Sequence, residues 1–113
     1  MKKVEAIIRP SKLKAVQRGL KEADIPCITV IPVKGTGLQK TYSERYRGTE
    51  QSMILQSRVM INCVVSDKHL QKCIDVIKDN ACENQAGDGK IFIYHVEDAI
   101  RLSTGTQGVD AIL

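Results

Sequence analysis

Hydrophobic and polar residues alternate in four short stretches of the chain and recur at helical spacing in two more. In residues 3–9, KVEAIIR, the alternation puts Val4, Ala6 and Ile8 on one face of a strand. Pro10-Ser11 ends that strand, and Ser11 is placed to cap a helix. Across residues 12–23, Leu13, Val16, Leu20 and Ala23 form an apolar stripe, with lysines and Arg18 on the rest of the surface. Residues 27–34, CITVIPVK, predict a second strand. Pro32 lacks a backbone donor, so this strand belongs at a sheet edge or ends there. Residues 58–65, RVMINCVV, predict a third strand, and Ser66 is a second capping candidate. Leu70, Cys73, Ile74, Ile77 and Ala81 then mark the buried stripe of a second helix. Residues 90–96, KIFIYHV, predict a fourth strand, followed by a short turn at 97–100 and a last extended piece, IRLST.

The order is strand–helix–strand, a long loop, then strand–helix–strand. It predicts an α+β fold, a ferredoxin-like βαββαβ sandwich with both helices on one face of an antiparallel sheet, and one domain over residues 1–113. The third and fourth strands read as apolar on both faces. Met60 and Val64 oppose Val59, Ile61, Cys63 and Val65, while Phe92 and Tyr94 oppose Ile91 and Ile93. Two helices cover one face, so the other is expected to pack against further copies of the chain. Residues 36–57 carry no strong periodicity, and a loop of that length in a compact domain is usually functional or disordered.

Composition adds constraints. Aromatic residues make up 4% of the chain and tryptophan is absent, so the core must be aliphatic. No apolar run approaches the length of a membrane span, and MKKVEAIIRP lacks the apolar centre of a secretion signal. Cys27, Cys63, Cys73 and Cys82 form no C-x-x-C pair and stand apart from His69 and His95. They read as small buried hydrophobes in a reducing cytosol rather than as a zinc or redox centre. Of the net charge of +4, +3 falls within residues 34–58, where Lys34, Lys40, Arg45, Arg47 and Arg58 face Glu44 and Glu50. Such a segment should meet an anionic or carbonyl-rich partner.

The candidate chemistry centres on Gly87-Asp88-Gly89-Lys90. This is no Walker A loop, because Ile91 follows the lysine and a strand opens where a helix should. Two readings stay open locally. The stretch is either a tight connection or a nest of backbone amides for an anion, with Lys90 and Arg101 adding charge. Arg45, Arg47, Tyr42 and Tyr46 interleave cations with aromatics, yet no RNP-like or helix-turn-helix pattern accompanies them. No nucleophile motif surrounds either histidine. Acylphosphatases share the size and fold class, but Arg9-Pro10-Ser11-Lys12 stands where their glycine-rich loop would be.

Five stretches together resemble one family. MKKVEAIIRP (1–10), VKGTGLQK (33–40), ERYRGTE (44–50), GDGKIFI (87–93) and RLSTG (101–105) fall in the order and spacing of the PII nitrogen-signalling proteins, over the whole chain. The resemblance implies a cytoplasmic homotrimer that regulates nitrogen metabolism without catalysis. Its T-loop (about 36–57) would dock onto a target such as an ammonium transporter or a nitrogen-metabolism enzyme. Its B-loop (about 82–90) and C-loop (about 101–113) would hold ATP, ADP or AMP between subunits. By the same match Gly87, Asp88, Gly89, Lys90 and Arg101 would meet phosphates, Thr29 and Val64 the adenine, and Gly37 and Leu38 would approach the nucleotide from the base of the T-loop. Gln39 would help hold Mg²⁺ and 2-oxoglutarate, with Arg58 facing that ligand. Arg47, flanked by Tyr46 and Arg45, would engage the target. No nucleic acid and no membrane insertion are implied.

The departures are specific. Leu38 and Ser103 replace arginines that usually touch phosphates, and two missing charge-assisted contacts are worth about 1.5–3 kcal/mol each. Asn62 stands where an acidic residue is common, and Glu83-Asn84-Gln85 brings a negative charge beside the phosphate site. Together they lead to an expectation of weaker ATP binding, a preference for ADP or AMP, or a different ligand. Gln51 occupies the position of the modified tyrosine in many bacterial members, so uridylylation there is excluded. Two other classes compete: a small ferredoxin-like enzyme acting on phosphate esters or anhydrides, and a nucleic-acid-binding module.

Overall fold

A computed structural model describes residues 1–37 and 55–113. Strand β1 (Lys2–Ile8) leads through a 3₁₀ turn (Pro10–Lys12) into helix α1 (Leu13–Glu22), followed by β2 (Thr29–Gly35). The second half runs β3 (Gln56–Val65), a 3₁₀ turn (Asp67–His69), helix α2 (Leu70–Ala81) and β4 (Gly89–His95), and a final 3₁₀ turn spans Gly108–Ile112. The four strands form one antiparallel sheet in the order β2-β3-β1-β4, the ferredoxin-like arrangement expected from the pattern. No helix among the described residues is long and apolar enough to cross a membrane.

The sheet's inner face carries the alternating residues of the two central strands. Val4, Ala6 and Ile8 of β1 and Val59, Ile61, Cys63 and Val65 of β3 are buried under Val16 and Leu20 of α1 and Cys73, Ile77 and Ala81 of α2. The i, i+4 spacing on each helix aims one stripe at the sheet. Gly19 lies where α1 meets α2. A Cβ there would stand 2.9 Å from Val76 Cγ1 and 2.7 Å from Asn80 Nδ2, so the missing side chain lets the helices close on each other. Helix α1 ends on Asp24 in the left-handed region (φ 62°), with Ile25 N–H donating to the Leu20 carbonyl and Asp24 N–H to that of Lys21. These are the two hydrogen bonds of a Schellman ending, here without glycine.

Several expectations are corrected. Neither serine caps through its hydroxyl: the first turn begins at Arg9, and Ser66 Oγ instead lies 2.7 Å from His69 Nδ1. Residues 102–104 form a turn rather than an extended piece, and only Ile100 bridges to Gln107. Cys63 and Cys73 are buried, but Cys27 and Cys82 are exposed. The outer face is not uniformly apolar. Ile7, Met60, Val64, Phe92 and Tyr94 share it with Lys3, Glu5 and Asn62, because those polar residues occupy the same parity on the central strands. Tyr94 donates to Glu5 (3.1 Å), and Lys3 Nζ sits 5.2 Å from the Tyr94 ring centroid. Pro32 lies in an edge strand, as its missing donor requires.

Leu20 is fully buried where α1 packs on the sheet. Truncating it to alanine removes that contact and leaves a cavity, so Leu20→Ala should lower the unfolding free energy by about 3 kcal/mol. Urea denaturation followed by circular dichroism measures this as a lower midpoint at unchanged slope.

Candidate functional site

Four of the strand positions among the predicted site residues share one face. Thr29 pairs with Asn62, Val64 with Lys3, Lys90 with Ile7, and Val33 with Arg58. Because parity alternates along each strand, Thr29, Arg58, Val64 and Lys90 all point away from the helices. They do not gather at one place on that face, however. Thr29 is on edge strand β2 and Lys90 on edge strand β4, three interstrand spacings or about 14 Å apart. The candidate site therefore exists in one chain as two half-sites.

The first half-site is a cleft of about 420 Å³ lined by Thr29, Val64, Arg101, Asn62 and Lys3, with residues 111–113 along one side. Asn62 Oδ1 is buried without a hydrogen-bond partner among the described residues. Arg101 is set by its own loop. Its N–H donates to the Thr106 carbonyl (2.9 Å), and the Gly105 N–H donates back to the Arg101 carbonyl (2.7 Å). Asp98 Oδ1 ties the loop's two ends by accepting from the Ala99 N–H (2.8 Å) and the Gly108 N–H (3.0 Å). The Arg101 guanidinium donates to the backbone oxygens of Asp110 (3.5 Å) and Leu113, so part of its donor capacity is met within the chain. Ser103 is exposed in the turn that follows.

The second half-site is the loop from Cys82 to Lys90. Two glycines take positive φ there, Gly87 at 91° and Gly89 at 115°. At Gly89 the requirement is also steric, since a Cβ would stand 1.8 Å from the Ile7 carbonyl oxygen of the neighbouring strand. Asn84 holds φ 58°, which asparagine tolerates. The Asp88 carboxylate organises the turn by accepting the Glu83 N–H (2.9 Å) and the Gln85 N–H (3.2 Å) on Oδ2. The hydrogen bond from Glu83 does most to hold the Asp88 carboxyl below its ordinary value, and the Arg9 guanidinium assists. Two amides of the loop thus already serve an internal anion.

The same loop is braced from the segment after β1. Arg9 donates to the Ala86 carbonyl (3.0 Å), and its Nε faces Asp88 Oδ1 at 3.4 Å. Lys12 pairs with Glu83 at 2.9 Å, so the extra carboxylate is neutralised in place. Arg58 connects the loop to β3. It donates to the Gly87 carbonyl at a long 3.4 Å and is steadied by Gln56 Oε1 (2.7 Å) and the Ser57 carbonyl (2.8 Å). Lys90 has no ion-pair partner among the described residues, and its ammonium is exposed.

Arg9 and Lys12, which brace the candidate loop, are residues that sequence reasoning passed over. The signal was available: a strand–helix–strand repeat returns both turns to the same end of the sheet, so cations after β1 must lie near the loop before β4. Gly37 lies at the end of the described first segment and is exposed. Leu38, Gln39, Arg45, Tyr46 and Arg47, together with Gln51, lie outside the described residues. No cluster of metal-binding side chains occurs among the described ones.

Comparison with known proteins gives a consistent result. A family model described as nitrogen regulatory protein P-II matches residues 1–106. The chain is 45% identical over 112 residues to a nitrogen regulatory protein P-II of Bradyrhizobium diazoefficiens, covering 99% of this chain and 100% of that one. Proteins of the same description from Haemophilus influenzae (44%) and Rhodobacter capsulatus (46%) match over the same proportions.

Two outcomes follow from the second half-site. Gly89→Ala forces a side chain against the Ile7 carbonyl, so it should destabilise the fold by about 2 kcal/mol or more and loosen the β1–β4 pairing. Denaturant midpoints and amide exchange along β4 measure both effects. The Asp88 carboxyl is held below the usual aspartate value of about 3.9, so its stabilisation is complete above pH 4. It is lost as pH falls through Asp88's own lower value. The protection factors of the Glu83 and Gln85 amides, taken against the intrinsic exchange rate at each pH, should therefore fall in acid, and Asp88→Asn should remove that fall.

Proposed function

The chain belongs to the P-II family of nitrogen regulatory proteins, and from that premise we propose that it is a cytoplasmic signalling trimer that binds adenine nucleotide between its subunits. Signalling in nitrogen regulation is the family's role. The nucleotide, the assembly and the target go beyond that role and make up the proposal. The observation that carries it is the division of the site. Thr29, Val64 and Arg101 meet at one edge of the outer face, while Gly87, Asp88, Gly89 and Lys90 meet at the other. A ligand needing both halves takes one from each of two neighbouring chains. The half-apolar outer face, with Phe92 and Tyr94 at 44% and 46% exposure, offers surface for that packing.

The residues present suit an adenylate. Asn62 Oδ1 offers an unused acceptor in the Thr29–Val64 cleft, which matches an exocyclic amine. Lys90 supplies an ammonium unpaired among the described residues, and the glycines leave backbone open beside it. Arg58 faces the same loop from β3, where a second carboxylate such as 2-oxoglutarate would be met. Mg²⁺ would be held with the help of Gln39. The T-loop, with Arg45, Tyr46 and Arg47, would carry the ligand state to an ammonium transporter or a nitrogen-metabolism enzyme. None of these roles requires a covalent step, so the protein acts by binding.

Internal pairing alters the expected ligand preference only in part. Lys12 neutralises Glu83, which removes one source of repulsion toward phosphate. The replacement of two arginines by Leu38 and Ser103 still stands. ATP should therefore bind no more tightly than ADP or AMP in titration calorimetry of the full chain. Lys90→Ala should weaken ADP about tenfold or more with the fold unchanged. In the presence of Mg²⁺ and ATP, 2-oxoglutarate should add heat, and without them it should not. A monomer in sedimentation equilibrium, with no heat at millimolar nucleotide, would overturn the reading.

A further inference from the structure

Two cysteines meet inside the core. Cys63 leaves the inner face of β3, Cys73 leaves α2 toward it, and their sulfurs are 3.5 Å apart. Both are free thiols, 4% and 0% exposed, and nothing in the proposed ligand site uses them. A disulfide has its sulfurs about 2.05 Å apart, so the pair stands about 1.5 Å short of bond formation. Cys63 borders the Thr29–Arg101 cleft, but strand parity turns its thiol to the inner face, so a small reagent reaches it through local opening of the core. The pair is polarised. Contact with Cys73 holds the Cys63 thiol below its ordinary value, while that contact and burial push the Cys73 thiol up.

We propose that Cys63 and Cys73 form an oxidative modification site, at which a small peroxide converts the two thiols into an intrachain disulfide tying β3 to α2. The Cys63 thiolate attacks one peroxide oxygen. The O–O bond breaks, Cys63 becomes a sulfenic acid, and the leaving hydroxide takes up a proton as water. Cys73, losing its proton, then attacks the Cys63 sulfur. The S–S bond forms as the S–O bond breaks, and the second oxygen leaves as water. Two electrons pass from the thiols to the peroxide, and a dithiol reductant reverses the change. Asn62 and Val64, on either side of Cys63, line the cleft, so the bond is anchored directly behind its wall.

The test treats the reduced full chain with hydrogen peroxide under native conditions, blocks remaining thiols in denaturant, and maps unreduced peptides by mass spectrometry. The expected result is a loss of two hydrogens per chain and one linked pair containing Cys63 and Cys73, reversed by dithiothreitol. A Cys27→Ser/Cys82→Ser variant should give the same link and Cys63→Val should not. Should Cys63→Val fail to fold, the wild-type peptide map decides alone. Native protein in which peroxide modifies only Cys27 and Cys82, or a 63–73 link found only when denaturant precedes the oxidant, would overturn the proposal.

Discussion

Parity along the two central strands is the constraint on which the remainder of this molecule depends. Val4, Ala6 and Ile8 must face the helices together with Val59, Ile61, Cys63 and Val65, because no other surface available to them is dry. With that face settled, every intervening residue is sent to the opposite side. Thr29, Arg58, Val64 and Lys90 are therefore presented as a group by the same burial that holds the fold together. A slip of one residue in β1, β3 or β4 would bury a cation and expose an aliphatic side chain, so the hydrophobic pattern of those strands specifies the candidate site's geometry as firmly as it specifies the core.

The loop before β4 is stabilised from within by an electrostatic arrangement that resembles what it would offer a ligand. Asp88 occupies two backbone amides, Arg9 steadies Asp88 and the Ala86 carbonyl, and Lys12 answers Glu83. The loop's shape is thus kept by its own charges and does not wait for an incoming anion. The cations left facing outward, Lys90 foremost, remain available. Preorganisation of this kind lowers the ordering entropy that binding would otherwise have to overcome.

Much of this was legible in the residues, and the misses share a cause. The buried stripes of α1 and α2 and the alternation in β1 and β3 announced themselves, since each is a local period read against one neighbouring surface. The edge position of β2 followed from a single proline. What stayed hidden needed tertiary partners. Ser66 had the right type for a cap, but His69 three residues on competes for its hydroxyl. Cys27 and Cys82 look like Cys63 and Cys73 in composition, and only their places in connecting segments expose them. The outer face read as apolar from Phe92, Tyr94, Met60 and Val64. Lys3, Glu5 and Asn62 share it only once the strands are set in register. The division of the candidate site between opposite edges is likewise a property of strand order, which no local motif carries.

The sheet's two rims are unequal in one further respect. Pro32 withdraws a donor from the rim at β2, whereas β4 runs from Gly89 to His95 without a proline. A neighbouring backbone seeking a ladder would thus find a complete row of partners on one flank and an interrupted one on the other. The β4 rim is accordingly the flank at which edge-to-edge pairing with another strand is the more favourable.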